Sequence, residues 1–265
     1  MRGDDALMNE GLQTTTPEEK DEEEVARTVR LPSGTKALIG DWTMPANATG
    51  IVLFAHGSGS SRHSSRNQAV ARYLVHRGMG TFLLDLLTPE EEQVDEVTRH
   101  LRFDIPLLSR RLVDATRWLK DQPEYKNLPV GYFGASTGAA AALVAASELP
   151  EEVGAVVSRG GRPDLAGMAL TRVTSPTLLI VGGNDEIVED LNREALERLC
   201  CRKEIVIIPG ATHLFDEPGT LEQVSVLAAE WFTHHFSPKA LSARESDSQS
   251  QSQSSRKYHE GGVRG

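Results

Sequence analysis

Between residues 25 and 236 the chain alternates short strand-like runs, the central ones apolar throughout, with longer stretches whose apolar positions return every three or four residues. The short runs predict strands at 27–31, 37–43, 50–55, 81–84, 129–133, 153–157, 176–181 and 204–208. The central ones are apolar throughout, as in parallel strands covered on both faces. The longer stretches predict helices at 66–77, 105–120, 137–147, 188–199 and 220–235. Thr88-Pro89-Glu90-Glu91 opens one more, with a capping hydroxyl, a proline at the first helical position and a glutamate three residues after the cap. This alternation predicts an α/β domain, a mostly parallel twisted sheet of about eight strands with helices on both faces and right-handed crossovers. Only about 18 residues separate the sixth predicted strand from the seventh. That leaves no room for a large lid domain, so a site at this end of the sheet is expected to be open or lightly covered.

The pattern stops at both ends. Residues 1–24 lack apolar periodicity, and residues 237–265 include Ser-Gln repeats. Both are expected to be disordered tails around a single domain at 25–236. Charge sharpens this division. The net charge of −10 comprises −7 in residues 1–24, +2 in residues 237–265 and about −5 in between. A mildly acidic domain argues against a nucleic-acid partner. No apolar run approaches the roughly 18 residues of a membrane span. The N-terminus has no apolar leader region, so the expected location is the cytoplasm, away from membranes. Cys200 and Cys201 are the only cysteines, are adjacent and lack metal-site spacing, which fits a reducing compartment.

The chemistry centres on Gly134-Ala-Ser-Thr-Gly138, which follows one predicted strand and opens an alanine-rich helix. A G-x-S-x-G turn in that setting lifts a serine hydroxyl above the end of a sheet. A serine is a poor nucleophile unless a base takes its proton and an acid orients that base. In chain order the candidates are Ser136, then Asp185, then His213. Asp185 lies just beyond the strand at 176–181, although the same position also suits a helix cap. Asp164, farther from its strand end, ranks second. His213 follows the last strand. His76 and His100 fall in helical or linker contexts, and His234, His235 and His259 lie at or past the end of the last helix. Acyl transfer also needs two donors aimed at the developing oxyanion. The backbone N–H of Thr137 is one candidate. The N–H of Ser58 is the other, in the loop Ala55-His-Gly-Ser-Gly-Ser60, with His56 expected to hold that loop and take no part in proton transfer. The loop lacks a P-loop lysine and the spacing G-x-G-x-x-G, so a phosphate-binding turn is a weak alternative. No cofactor or metal is expected.

Five segments extend the pattern: Phe54-Ala-His-Gly-Ser-Gly-Ser-Ser-Arg-His63, Leu83-Leu-Asp-Leu-Leu-Thr-Pro-Glu-Glu91, Gly134-Ala-Ser-Thr-Gly138, Ser158-Arg-Gly-Gly-Arg-Pro-Asp164 and Ala211-Thr-His-Leu-Phe215. With them the chain resembles the α/β-hydrolase fold of the dienelactone hydrolase-like group, over roughly residues 25 to 236. It is most similar to a subgroup of small bacterial hydrolases sometimes fused to a phosphoribosyltransferase domain. The resemblance implies a triad of Ser136, Asp185 and His213. Dienelactone hydrolases proper use a cysteine nucleophile where this chain has Ser136, and no phosphoribosyltransferase segment is seen in the sequence.

The expected activity is hydrolysis of small carboxylic esters, lactones or thioesters through an acyl-enzyme on Ser136. The expected partner is a small-molecule acyl substrate. A non-catalytic binder of the same fold and an acyltransferase are the alternatives. Arg62, Arg159 and Arg162 follow strand ends or the donor loop, so they are candidate contacts for a carboxylate or phosphate on the substrate. The plainer role for them is tying loops together, Asp164 being one available partner.

Overall fold

A computed structural model describes residues 25–237 and 240. The expected acidic tail at 1–24 and nearly all of the Ser/Gln-rich tail at 237–265 lie outside the described residues. The strands are β1 (Val25–Ser33), β2 (Lys36–Met44), β3 (Ile51–Ala55), β4 (Gly80–Leu84), β5 (Val130–Ala135), β6 (Val153–Arg159), β7 (Thr177–Gly182) and β8 (Lys203–Ile208). The helices are α1 (Ser65–His76), α2 (Pro89–Thr98), α3 (Ile105–Lys120), α4 (Thr137–Glu148), α5 (Glu186–Arg198) and α6 (Thr220–His235). All eight expected strands and six expected helices form, within a few residues of their expected ends.

One sheet runs in the order β1-β2-β4-β3-β5-β6-β7-β8. The β1–β2 and β2–β4 pairs are antiparallel, and the remaining pairs are parallel. The strands from β3 to β7 with β4 are buried at every position, which explains their unbroken apolar runs. Near the edge, β2 alternates between buried and more exposed positions. Two apolar layers flank the sheet. Tyr132, Leu143, Val156 and Leu179 pack in one, and Phe54, Val70, Phe133, Ile180 and Phe232 in the other.

The capping box predicted for α2 is present. The Glu91 N–H donates to Thr88 Oγ1 at 3.3 Å, and the Thr88 N–H donates to Glu91 Oε2 at 2.9 Å. The connection from β6 to β7 holds a 3₁₀ segment, Pro163–Arg172, kinked at Gly167. It packs on α4 and α5. No lid domain is inserted there. Among the described residues no helix is long and apolar enough to cross a membrane.

The order of strands fixes where a site can form. From β3 the chain crosses to β4 on one side and then to β5 on the other, so β3 and β5 are neighbours with connections diverging from them. In open α/β sheets ligands bind in the crevice left at the carboxyl ends of such a pair. Ser136 follows β5 and Ser58 follows β3.

Candidate active site

Ser136 sits between the last residue of β5 and the first of α4, at φ 52° and ψ −122°. Few non-glycine residues adopt such a backbone, and holding one there costs about 1–3 kcal/mol. The neighbours enforce it. The Ser136 N–H donates to the Arg159 carbonyl of β6 at 3.2 Å, and the Ser136 carbonyl accepts from Arg162 N–H at 3.0 Å and Ala139 N–H at 3.1 Å. The α4 helix can start this abruptly because Gly138 has no side chain. A Cβ there would lie 2.2 Å from the Ala55 carbonyl oxygen and 2.5 Å from that of His56. The start of α4 therefore rests directly on the backbone of the donor loop.

Asp185 lies just past β7, at the N-cap position of α5, but its side chain makes no capping bond. It is turned instead to His213, whose Nδ1 lies 2.6 Å from Asp185 Oδ2. His213 Nε2 lies 3.3 Å from Ser136 Oγ. The close packing of two loops brings this pair together. A Cβ at Gly182 would fall 2.4 Å from the Ala211 carbonyl oxygen, so glycine lets the His213 loop lie against the end of β7. The Asn184 N–H donates to that same carbonyl at 2.9 Å. The second candidate acid, Asp164, is engaged elsewhere, as it accepts two hydrogen bonds from Arg162 at 2.9 and 2.8 Å.

The donor loop is held by His56. This imidazole is nearly buried, with Nδ1 3.0 Å from the Gly57 carbonyl and Nε2 accepting from Leu86 N–H at 3.1 Å. The two bonds fix the tautomer, with the proton on Nδ1. The Gly57 carbonyl also accepts from Ser60 N–H at 3.2 Å. The peptide is planar and trans, so pinning the Gly57 carbonyl to one side turns the Ser58 N–H to the other. Among the described residues, neither Ser58 N–H nor Thr137 N–H donates a hydrogen bond.

Burial lowers the pKa of His56, against smaller opposing effects from the Gly57 carbonyl and Asp85. A depressed histidine stabilises the fold at pH values above its unfolded pKa, about 6.5. Below that the unfolded chain binds a proton the folded chain refuses, so stability should fall as the pH drops towards the folded pKa. The slope approaches about 1.4 kcal/mol per pH unit. Urea unfolding from pH 7 to 5 should show this loss, and His56→Gln should make the curve shallower across that window. A variant with an unchanged slope would remove His56 as the cause.

The three candidate substrate arginines part ways. Arg62 is paired with Asp85 and lies 3.3 Å from Asp41. Arg162 is held by Asp164. Among the described residues Arg159 has no carboxylate partner, and its Nε and Nη1 are buried without a hydrogen bond. Sequence reasoning did not single out Arg66, whose charge faces Arg159. Nothing in the sequence sets Arg66 apart from other helical arginines.

Known proteins resemble this chain in sequence and fold. The family model described as the dienelactone hydrolase family matches residues 37–235. A dienelactone hydrolase crystal structure from Anabaena variabilis is 59% identical, with a TM-score of 0.79, covering 80% of this chain and 98% of that one. Est1E from Butyrivibrio proteoclasticus, 15% identical with a TM-score of 0.65, covers 78% of this chain and 98% of its own and shares the fold. Proteins from two strains of Mycobacterium tuberculosis, provisionally named phosphoribosyl transferases, are 56% identical over 208 residues. The match takes in 78% of this chain but 46% of theirs, so the chain spans less than half the length of these relatives. The family model covers most of the domain, from β2 to the end of α6, and the chain belongs to the dienelactone hydrolase family.

Proposed function

We propose that this protein hydrolyses small carboxylic esters, lactones or thioesters through a covalent acyl-enzyme on Ser136. The observation that carries the reading is the pair of hydrogen bonds from Asp185 to His213 and from His213 to Ser136. Family membership supports hydrolysis of esters. A serine takes the nucleophile's place here, so the activating base has to remove a hydroxyl proton.

In the first half-reaction His213 Nε2 takes the proton of Ser136 Oγ as the oxygen attacks the acyl carbon. The 3.3 Å separation is that of a resting site and shortens when substrate presses the hydroxyl toward the base. Asp185 holds Nδ1–H and stabilises the imidazolium that forms. The carbonyl oxygen, now negative, takes the free N–H groups of Ser58 and Thr137. His213 passes its proton to the leaving alcohol or thiol. Water then enters, His213 deprotonates it, and the second tetrahedral adduct collapses to release the acid and restore Ser136.

The segments that follow β6, β7 and β8 carry exposed apolar side chains, to which we assign the acyl group. Met168 is 68% exposed, Ile187 78% and Leu214 44%, the last two flanking Asp185 and His213 in sequence. Incubation with a fluorophosphonate probe should give one adduct per chain, mapped to Ser136 by peptide mass spectrometry. A folded sample that takes no label at Ser136 would overturn the reading.

A further inference from the structure

Asn192 is a fully buried polar residue in the middle of α5, the helix that begins just after Asp185. Its Nδ2 donates to the Val188 carbonyl at 2.7 Å, one turn back in the same helix. It also donates to the Gly161 carbonyl at 2.9 Å, 31 residues away in the chain. Both partners are acceptors, so the amide fits only one way round, with its NH2 group toward them. Its Oδ1 is buried and, among the described residues, accepts no hydrogen bond. A buried acceptor without a donor is costly, and an apolar side chain of the same volume would avoid that cost. The bond to Gly161 is what an asparagine supplies here and a leucine does not.

Gly160, Gly161 and Arg162 join β6 to the 3₁₀ segment Pro163–Arg172. This short loop reaches the surroundings of all three candidate triad residues. The Arg162 N–H donates to the Ser136 carbonyl at 3.0 Å. The Gly160 N–H donates to the Ile180 carbonyl of β7, the strand that leads to Asp185, at 2.8 Å. Gly160, at φ 50°, also lies against the His213 loop. A Cβ there would stand 3.1 Å from the His213 carbonyl oxygen and 3.5 Å from Nδ1, the atom that faces Asp185. Gly161 is packed from the other side, where a Cβ would fall 1.9 Å from Ser158 Oγ and 2.6 Å from Ala139 Cβ of α4. Two glycines let the loop fit this space but give it little stiffness of its own. The Asn192 amide ties it to α5, whose Glu189 N–H donates to the Asp185 carbonyl at 2.9 Å. Asn192 thus closes a chain of contacts from the helix that starts at Asp185, through the loop, to the backbone of Ser136.

We propose that Asn192 is a positioning residue for the triad. By fixing the Gly161 carbonyl against α5 it sets where the loop at 160–162 stands, and through that loop the place of Ser136 relative to His213. In its kinetic consequence this rests on the esterase reading above. Asn192 touches no reacting atom, and its effect is on geometry alone. Displacing a nucleophile by about 1 Å costs on the order of 100-fold in rate, so a bond this far from the chemistry has a measurable effect.

Two variants separate the two bonds. Asn192→Leu keeps the volume and loses both. Asn192→Ser can return its hydroxyl to the Val188 carbonyl, four residues back, as serines in helices do, but it is too short to reach Gly161. At a temperature where each variant is fully folded by circular dichroism, both should lower kcat for p-nitrophenyl butyrate by roughly 10- to 100-fold, with KM within about twofold of wild type. Fluorophosphonate labelling of Ser136 should slow in step. If Asn192→Leu does not fold, Asn192→Ser decides alone. Folded variants with wild-type kcat and labelling would overturn the proposal, as would losses confined to KM. An Asn192→Ser protein at wild-type rates beside an impaired Asn192→Leu would overturn it too, because the bond that matters would then lie inside α5. A wild-type protein that neither labels at Ser136 nor turns over an ester would overturn the esterase reading instead. In that case the proton on His213 Nδ1, 2.6 Å from Asp185 Oδ2, supplies a readout that needs no turnover. Its downfield NMR resonance, assigned by its absence from His213→Gln, should move upfield in both Asn192 variants, and an unmoved signal would end the positioning role.

Discussion

Ser136→Ala should lower kcat for p-nitrophenyl butyrate by roughly 10⁴- to 10⁶-fold while leaving the protein folded. The size follows from what survives. Without Oγ no acyl-enzyme can form, and His213 has nothing to deprotonate except water. The N–H groups of Ser58 and Thr137 would still polarise a bound ester, which leaves residual catalysis over the uncatalysed reaction. Alanine keeps the Cβ, so the costly backbone at φ 52° is as strained as before and Tm should stay close to that of wild type. Ser136→Gly tests the strain separately. It should be equally inactive yet more stable by about 1 kcal/mol or more, because glycine tolerates positive φ. Steady-state rates and thermal melts of the two variants check both halves, and substantial turnover by Ser136→Ala would sink the acyl-enzyme mechanism.

The features legible in the sequence were those written locally. Strands such as Ile51–Ala55 and Val130–Ala135 are buried on both faces, so hydrophobicity alone marks them. Thr88 and Glu91 announce α2 because a capping box is closed by residues three apart. The order Ser136, Asp185, His213 was readable because each follows a strand. The choice between Asp185 and Asp164 had a local signal too. Arg162 is two residues from Asp164 and takes both of its oxygens, which leaves Asp185 for the histidine. What the sequence could not express depends on distant segments meeting. Arg62 was a candidate substrate contact by its place after the donor loop, but Asp41 from β2 and Asp85 beyond β4 neutralise it. Arg159 looked no different from Arg62 and Arg162, and only the packed structure shows that, among the described residues, it alone of the three lacks a carboxylate. The 3₁₀ segment Pro163–Arg172 escaped notice because its kink at Gly167 breaks any helical period.

Gly138→Ala should remove most activity without touching any side chain that takes part in the chemistry. The added methyl would enter a gap where the Ala55 carbonyl oxygen stands 2.2 Å away and the His56 carbonyl 2.5 Å. Both are backbone atoms of a buried strand end and its loop, so no side chain can rotate aside. Either α4 backs away from the sheet or the donor loop is pushed outward. Both movements separate the Thr137 N–H from the Ser58 N–H, and an oxyanion can then reach only one. Losing one such donor costs on the order of 10²- to 10³-fold in kcat. Overpacking at a rigid contact costs about 1–3 kcal/mol in addition, which should appear as a lower Tm. The two effects separate experimentally. At a temperature where the variant is fully folded by circular dichroism, fluorophosphonate labelling of Ser136 should slow along with kcat, because that reaction too builds negative charge on an oxygen facing the two N–H groups. A folded Gly138→Ala protein that labels and turns over at wild-type rates would show that the contact between α4 and the donor loop does not set the oxyanion geometry.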